Sequence, residues 1–218
     1  MIEINNIIKR YSKGNDIFTA LDNISLNIKK GDYCAVIGPS GAGKSTLLFI
    51  IGGLIHPDSG TLLYNGNDIY KQSRKDLDLF RRRHLGFMFQ QFHLMPYLTV
   101  LENIKLACYE KKQIDNIGYF LKEFSMNDIQ NKYPSELSTG EKQRTAFIRA
   151  IISKPVLLLA DEPTGNLDPG NSEIILSHLK DYHKNNGTII LVTHNPEFSY
   201  YSNMIIKLDK GRIMSEFS

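Results

Sequence analysis

The chain has 218 residues, long enough to bury roughly 70% of the surface its unfolded form exposes, so a core can hold it together without disulfides. Hydrophobic residues make up 42% and charged residues 22%, a globular balance that excludes a disordered, collagenous or coiled-coil chain. The net charge of +3 is too small to point to nucleic acid, and the run Arg81, Arg82, Arg83 reads as a solvated face.

The longest near-apolar stretch, residues 47–55, contains Gly52 and Gly53 and falls far short of the roughly 20 residues that span a bilayer. The start of the chain has neither the basic residues nor the apolar core of a secretory signal, so the expectation is a protein that stays where it is made. Cys34 and Cys108 sit in apolar contexts without ligand spacing; both are expected as buried thiols in a reducing compartment.

Taken in order, residues 2–8, 24–28 and 33–37 read as short strands, with Lys30-Gly31-Asp32 as a turn. A helix is expected to begin at Lys44, where the apolar residues 47–51 follow a glycine-rich loop. Further strands are expected at 60–64, turning at Asn65-Gly66, and at 86–89. From Gln90 to about 154 the pattern becomes helical: Ile117, Phe120, Leu121 and Phe124 share one helix face, with Lys122 and Glu123 outward. Strands return at 156–160, 188–192 and 204–208, with a helix at about 172–184. Continuous apolar strands separated by helices indicate a parallel sheet covered on both faces. The whole chain reads as one α/β domain, 1–218, with an N-terminal antiparallel β region at about 1–30, a parallel core and a helical subdomain at about 91–154.

The loop after residue 37 runs Gly38-Pro39-Ser40-Gly41-Ala42-Gly43-Lys44-Ser45-Thr46. It fits the phosphate-binding pattern of two glycines four residues apart followed by Lys and Ser/Thr. Glycines let the backbone curl until successive N–H groups point inward, and the helix that follows adds its positive end, so a polyphosphate is held. Lys44 would reach the β and γ phosphates and Ser45 would ligate Mg²⁺. Asp161 and Glu162 end an apolar strand, where α/β sheets meet their ligands; Asp161 can hold the water shell of the metal and Glu162 can orient an attacking water. A third element, Leu137-Ser138-Thr139-Gly140-Glu141, precedes a helix expected at 142–152 and places Ser138 and the Gly140 amide at an anion-favouring N-terminus.

In this order and spacing the sequence resembles the ATP-binding cassette (ABC) ATPases nearly end to end. The resemblance makes Tyr11 the aromatic that stacks on adenine, residues 38–46 the phosphate loop, Gln90 the metal-sensing glutamine and Ser138 and Gly140 the signature. It makes Asp161 the metal-shell aspartate, Glu162 the catalytic base, Asp168 the aspartate of the loop Gly165-Asn166-Leu167-Asp168, and His194 the switch histidine that contacts the γ phosphate. The implied catalytic set is Glu162, His194 and Lys44; the implied Mg²⁺ set is Ser45, Gln90 and Asp161. Residues 86–96, 98–103 and 160–168 are similar to the LolD, MacB and FtsE branch. Its members are ATPase subunits that dimerise beneath a separate integral membrane subunit. The resemblance therefore implies ATP and Mg²⁺ as ligands, a homodimer sharing two nucleotides, and a cytoplasmic protein peripheral to the inner face of the cell membrane. Its work would be export of lipoprotein, peptide or drug, or, as the alternative, cell-division signalling through a membrane partner. Two departures stand out. Thr139 replaces the usual small signature residue with a β-branched side chain, which implies reduced affinity or rate, and residues 107–134 are short for the branch. The apolar cluster Phe92, Leu94, Met95, Pro96, Tyr97 and Leu98 is expected on a surface loop, forming a groove for a short helix of the membrane partner.

Overall fold

The computed structural model describes residues 1–14, 16–164, 169–193 and 200–217. In chain order the elements are β1 (Ile2–Lys13), β2 (Asp16–Ile28), β3 (Tyr33–Ile37), α1 (Lys44–Ile51), β4 (Ser59–Tyr64), β5 (Asn67–Asp68), α2 (Arg74–His84) and β6 (Leu85–Met88). They continue as α3 (Val100–Lys105), α4 (Lys111–Asp115), α5 (Ile117–Glu123), α6 (Thr139–Ile151), β7 (Leu157–Asp161), α7 (Pro169–Lys184), β8 (Thr188–Val192), β9 (Met204–Asp209) and β10 (Arg212–Phe217). A six-stranded sheet has the order β10-β9-β3-β8-β7-β6 and is parallel except for β10. A four-stranded antiparallel sheet has the order β2-β1-β4-β5.

The period of two along the parallel strands explains their unbroken apolar sequence. Leu157 and Leu159 of β7, with Ile190 and Val192 of β8, face a core filled by α1 and the antiparallel sheet. Their neighbours Leu158, Ala160, Ile189 and Leu191 face the opposite core, made with Ile104 of α3, Leu121 of α5, Phe147 of α6 and Leu179 of α7. Both faces of each strand are dry.

The antiparallel region differs from the expectation of residues 1–30. It recruits 59–64 and 67–68, and β1 and β2 run on as a long hairpin to Lys13 and Asp16. The hairpin end is exposed on both faces, so it carries no apolar signal; its backbone bonds alone make it a strand. Two further elements lacked a sequence expectation. α2 buries only Leu77 and Phe80, and its start is set by Ser73, whose hydroxyl accepts from the Asp76 N–H. β10 is an edge strand with largely exposed side chains. Of the arginine run, Arg82 and Arg83 are exposed as expected, whereas Arg81 is half-buried, pairs with Asp78 and donates to the Gly53 carbonyl. Cys34 is fully buried, but Cys108 is half-buried. Among the described residues no helix is long and apolar enough to cross a membrane.

Two half-buried histidines give the fold a pH dependence. His178 of α7 stacks on Phe124 at 4.0 Å, with Nδ1 3.8 Å from Glu123 Oε1. Burial holds its pKa below the usual value, while Glu123 and Asp181 pull it upward. His84 at the end of α2 is held low by burial and by Arg83. Each imidazole is therefore neutral in the folded chain at a pH where the unfolded chain already binds a proton. Stability from this source is complete above about pH 6.5 and is lost as pH falls toward the folded values. Urea denaturation at pH 7.5 and 5.5 should show a larger acid loss for the natural chain than for a His84→Gln, His178→Gln double variant. Equal losses would remove the two histidines as the cause.

Candidate active site

The loop between β3 and α1 is shaped by contacts that only glycine permits. Gly43 has φ of 99°, and a Cβ there would run into the carbonyl of Ala20 on β2; a Cβ on Gly38 would run into the carbonyl of Leu208 on β9. The loop is thereby clamped between the two sheets, with Gly211 N–H donating to the Ala42 carbonyl at 3.0 Å. Helix α1 begins at Lys44, as its sequence predicts. The Lys44 ammonium is nearly buried and donates to the carbonyls of Gly38 (2.8 Å) and Pro39 (2.9 Å). These bonds hold a cation across the loop mouth, with donor capacity left for an anion.

A cavity of about 440 Å³ opens over this loop. The loop residues Gly38, Pro39, Ser40, Gly41, Ala42, Gly43, Lys44, Ser45 and Thr46 form its floor, Asp161, Glu162 and Gln90 one side, and Tyr11, Phe18 and Ala20 the outer end. Thirteen residues singled out from sequence, from Tyr11 to Glu162 and including Gln90, thus converge on one cavity.

Asp161 closes β7 and is 4% exposed. Burial raises its pKa above the usual carboxylate range; the hydrogen bond from Ser45 and the charge of Lys44 oppose the rise, and Glu162 adds to it. A buried carboxylate beside a serine hydroxyl, held against its preference for the neutral form, gains from a divalent cation. Ser45 and Asp161, with Gln90 lining the same cavity, therefore fit Mg²⁺ bound through oxygen. Glu162 has φ of 46°, a conformation that costs a non-glycine residue about 1–3 kcal/mol. Its N–H donates to the Val192 carbonyl of β8 at 2.9 Å. That bond turns the chain sharply at the strand end and leaves Glu162 lining the cavity.

Ser138 caps α6, which begins at Thr139, three residues earlier than its sequence suggests. The Ser138 hydroxyl accepts from the Glu141 N–H while the Glu141 carboxylate accepts from the Ser138 N–H at 2.7 Å. Ser138 and Gly140 do not line the cavity. Asp168 and His194 lie outside the described residues, His194 just beyond Thr193 at the end of β8.

Sequence reasoning missed Phe18 and Ala20. The signal was present as alternation: they are two residues apart on β2, and Phe18 pairs with Tyr11 across the hairpin. It also missed Arg149 of α6, whose guanidinium donates to the carbonyls of Phe92 (2.6 Å) and His93 (2.8 Å), just after Gln90.

A family model described as ABC transporter matches residues 21–165, which include the loop, Gln90, the α6 cap, Asp161 and Glu162. The chain belongs to the ABC transporter family. It is an ATP-binding domain of that family, with the P-loop ABC ATPase fold. It is 40% identical to the uncharacterized ABC transporter ATP-binding protein YknY of Bacillus subtilis, over 98% of this chain and 95% of that protein. It is 39% identical to the lipoprotein-releasing system ATP-binding protein LolD of Buchnera aphidicola, over 99% and 97%. Among solved structures, the dimeric bacterial ABC transporter cassette MJ0796 superposes with a TM-score of 0.93 at 36% identity, over 99% of this chain and 97% of that one. This ABC domain is thus homologous along nearly its full length to the LolD and YknY group.

Proposed function

We propose that this chain is the ATP-hydrolysing subunit of an export system of the LolD/MacB type. It dimerises, works at the inner face of the cell membrane and drives a separate integral membrane subunit that moves a lipoprotein, peptide or drug. The observation that carries this reading is the convergence of Lys44, Ser45, Asp161, Glu162 and Gln90 in one cavity over a phosphate-type loop.

In this reading Lys44 releases the Gly38 and Pro39 carbonyls to meet the β and γ phosphates, and the loop N–H groups take the remaining oxygens. Ser45, Asp161 and Gln90 would hold Mg²⁺, which would supply charge neutralisation on the phosphates. Glu162 accepts the proton of the attacking water and orients it; His194 contacts the γ phosphate. Phosphoryl transfer asks the protein for positioning and charge more than for covalent chemistry. Because Ser138 and Gly140 stand away from the cavity of their own chain, they complete the site of the second subunit. The dimeric state of the solved cassette MJ0796 supports that arrangement.

The membrane subunit is assigned to a groove of about 530 Å³ between α2, β6, the end of α3 and the end of α6. Phe87, Phe89, Met95 and Leu106 give it an apolar floor, and Arg82 lies on its rim. This corrects the loop expected from sequence: of Phe92, Leu94, Met95, Pro96, Tyr97 and Leu98, Met95 is the one that lines the groove. Leu94 is half-buried and packs against the core beneath, and Asn103, fully buried, ties the loop down through Met95 and Leu98. Pro96 and Tyr97 are exposed beside it.

Leu106→Asp should abolish recovery of the integral membrane subunit from solubilised membranes while the isolated chain still binds ATP. Tyr97→Asp should weaken recovery less. Equal recovery from both variants and the natural chain would overturn the placement of the partner.

A further inference from the structure

Helix α2 holds charge out of proportion to its length. Its eleven residues include five basic and two acidic side chains, so this one helix carries a net charge equal to the +3 of the whole chain. Both acids are engaged close to home. Asp76 accepts from the Ser73 hydroxyl at 2.6 Å in the helix cap, and Asp78 pairs with Arg81. Arg74, Lys75, Arg82 and Arg83 are all exposed, and among the described residues no ion pair neutralises them.

The helix sorts these groups by face. Leu77, Phe80, Arg81 and His84, at i, i+3, i+4 and i+7, turn inward, and Phe80 meets the Tyr64 ring of β4 edge-on at 4.6 Å. Lys75, Leu79, Arg82 and Arg83 stand on the opposite side, within about 100° of arc. Leu79 lies in the middle of them and is 43% exposed. A leucine flanked by long cationic side chains suits an interface between water and lipid: the leucine enters the acyl boundary, and the Lys and Arg stems lie along it with their charges among phosphates.

The position of α2 decides which polyanion meets this face. Asp78, Arg81 and Arg82 line the apolar groove, so the basic face is the next one round from the groove. We propose that the outer face of α2 docks on acidic phospholipid headgroups beside the integral membrane subunit. The inference rests on that subunit filling the groove, as proposed above. Nucleic acid would meet the same charge but has no use for Leu79. A few cations and one leucine hold a bilayer only weakly and reversibly. With the subunit already attached, the contact becomes a second point of anchorage, and it fixes how the chain is turned against the membrane.

The test is co-sedimentation of the full chain with phosphatidylcholine vesicles, with and without phosphatidylglycerol, at low and high salt. The natural chain should bind the acidic vesicles and not the neutral ones, and high salt should release it. Lys75→Gln and Arg83→Gln should each weaken binding about fivefold, and Leu79→Ser severalfold, with ATP binding unchanged in all three. Lys207→Gln with Lys210→Gln, an exposed pair on and just after β9 at the far end of the six-stranded sheet, should bind as the natural chain does. Equal binding to neutral and acidic vesicles would overturn the proposal, as would an equal loss in the β9 pair or tighter binding to a DNA duplex than to acidic vesicles. Acidic-vesicle binding that depends on Lys75 and Arg83 supports it even where no integral membrane subunit is recovered, a result that removes the export reading alone.

Discussion

Glu162→Gln should retain ATP binding and lose hydrolysis by about 100-fold or more, the scale on which a positioned general base acts. The amide keeps the size of the carboxylate and the strained turn at φ of 46°, so the cavity wall stays in place. What disappears is the capacity to accept the proton of the attacking water. With binding intact and turnover blocked, ATP should hold two chains together, and size-exclusion chromatography with ATP should show a dimer that ADP does not sustain. Hydrolysis within a few-fold of the natural rate would exclude Glu162 as the base.

Lys44→Ala should instead lose nucleotide affinity itself, by about 100-fold, because two charge-assisted contacts at about 1.5–3 kcal/mol each vanish together. The variant also leaves the Gly38 and Pro39 carbonyls without the ammonium that now satisfies them. It gives a direct test of site sharing. Mixed with Ser138→Arg chains, Lys44→Ala chains should recover part of the activity that neither variant has alone. Each mixed dimer retains one pocket with a natural Lys44 facing a natural Ser138. Natural activity in a monomeric Ser138→Arg variant would exclude a shared site.

The phosphate loop was legible because its glycines answer a steric demand that leaves no other choice: Gly43 and Gly38 are pressed against main-chain carbonyls. The central strands were legible for a different reason, since a strand dry on both faces must be apolar throughout, as β7 and β8 are. Elements held chiefly by backbone bonds left no such mark. The outer hairpin of β1 and β2, the edge strand β10 and the polar helix α2 carry few buried side chains, so periodicity had nothing to report. The loop after Gln90 was legible only in part. Pro96 and Tyr97 are exposed as expected, but the amide of Asn103 gathers the backbone around itself and Leu94 packs half-buried against the core. No pattern of hydrophobic residues records what one buried amide does.

The grip of Arg149 on the Phe92 and His93 carbonyls gives α6 a mechanical character. Thirteen helical residues make a rod of about 20 Å, and its internal bonds resist stretching or bending over that span. Ser138 and its reciprocal bonds with Glu141 stand at one end; the arginine clasp stands at the other, beside Gln90 and on the wall of the apolar groove. Movement of the 92–93 backbone therefore has no slack to disappear into. It becomes a displacement of the whole rod, so the Ser138 end behaves as the far arm of a lever whose near arm is held at the groove.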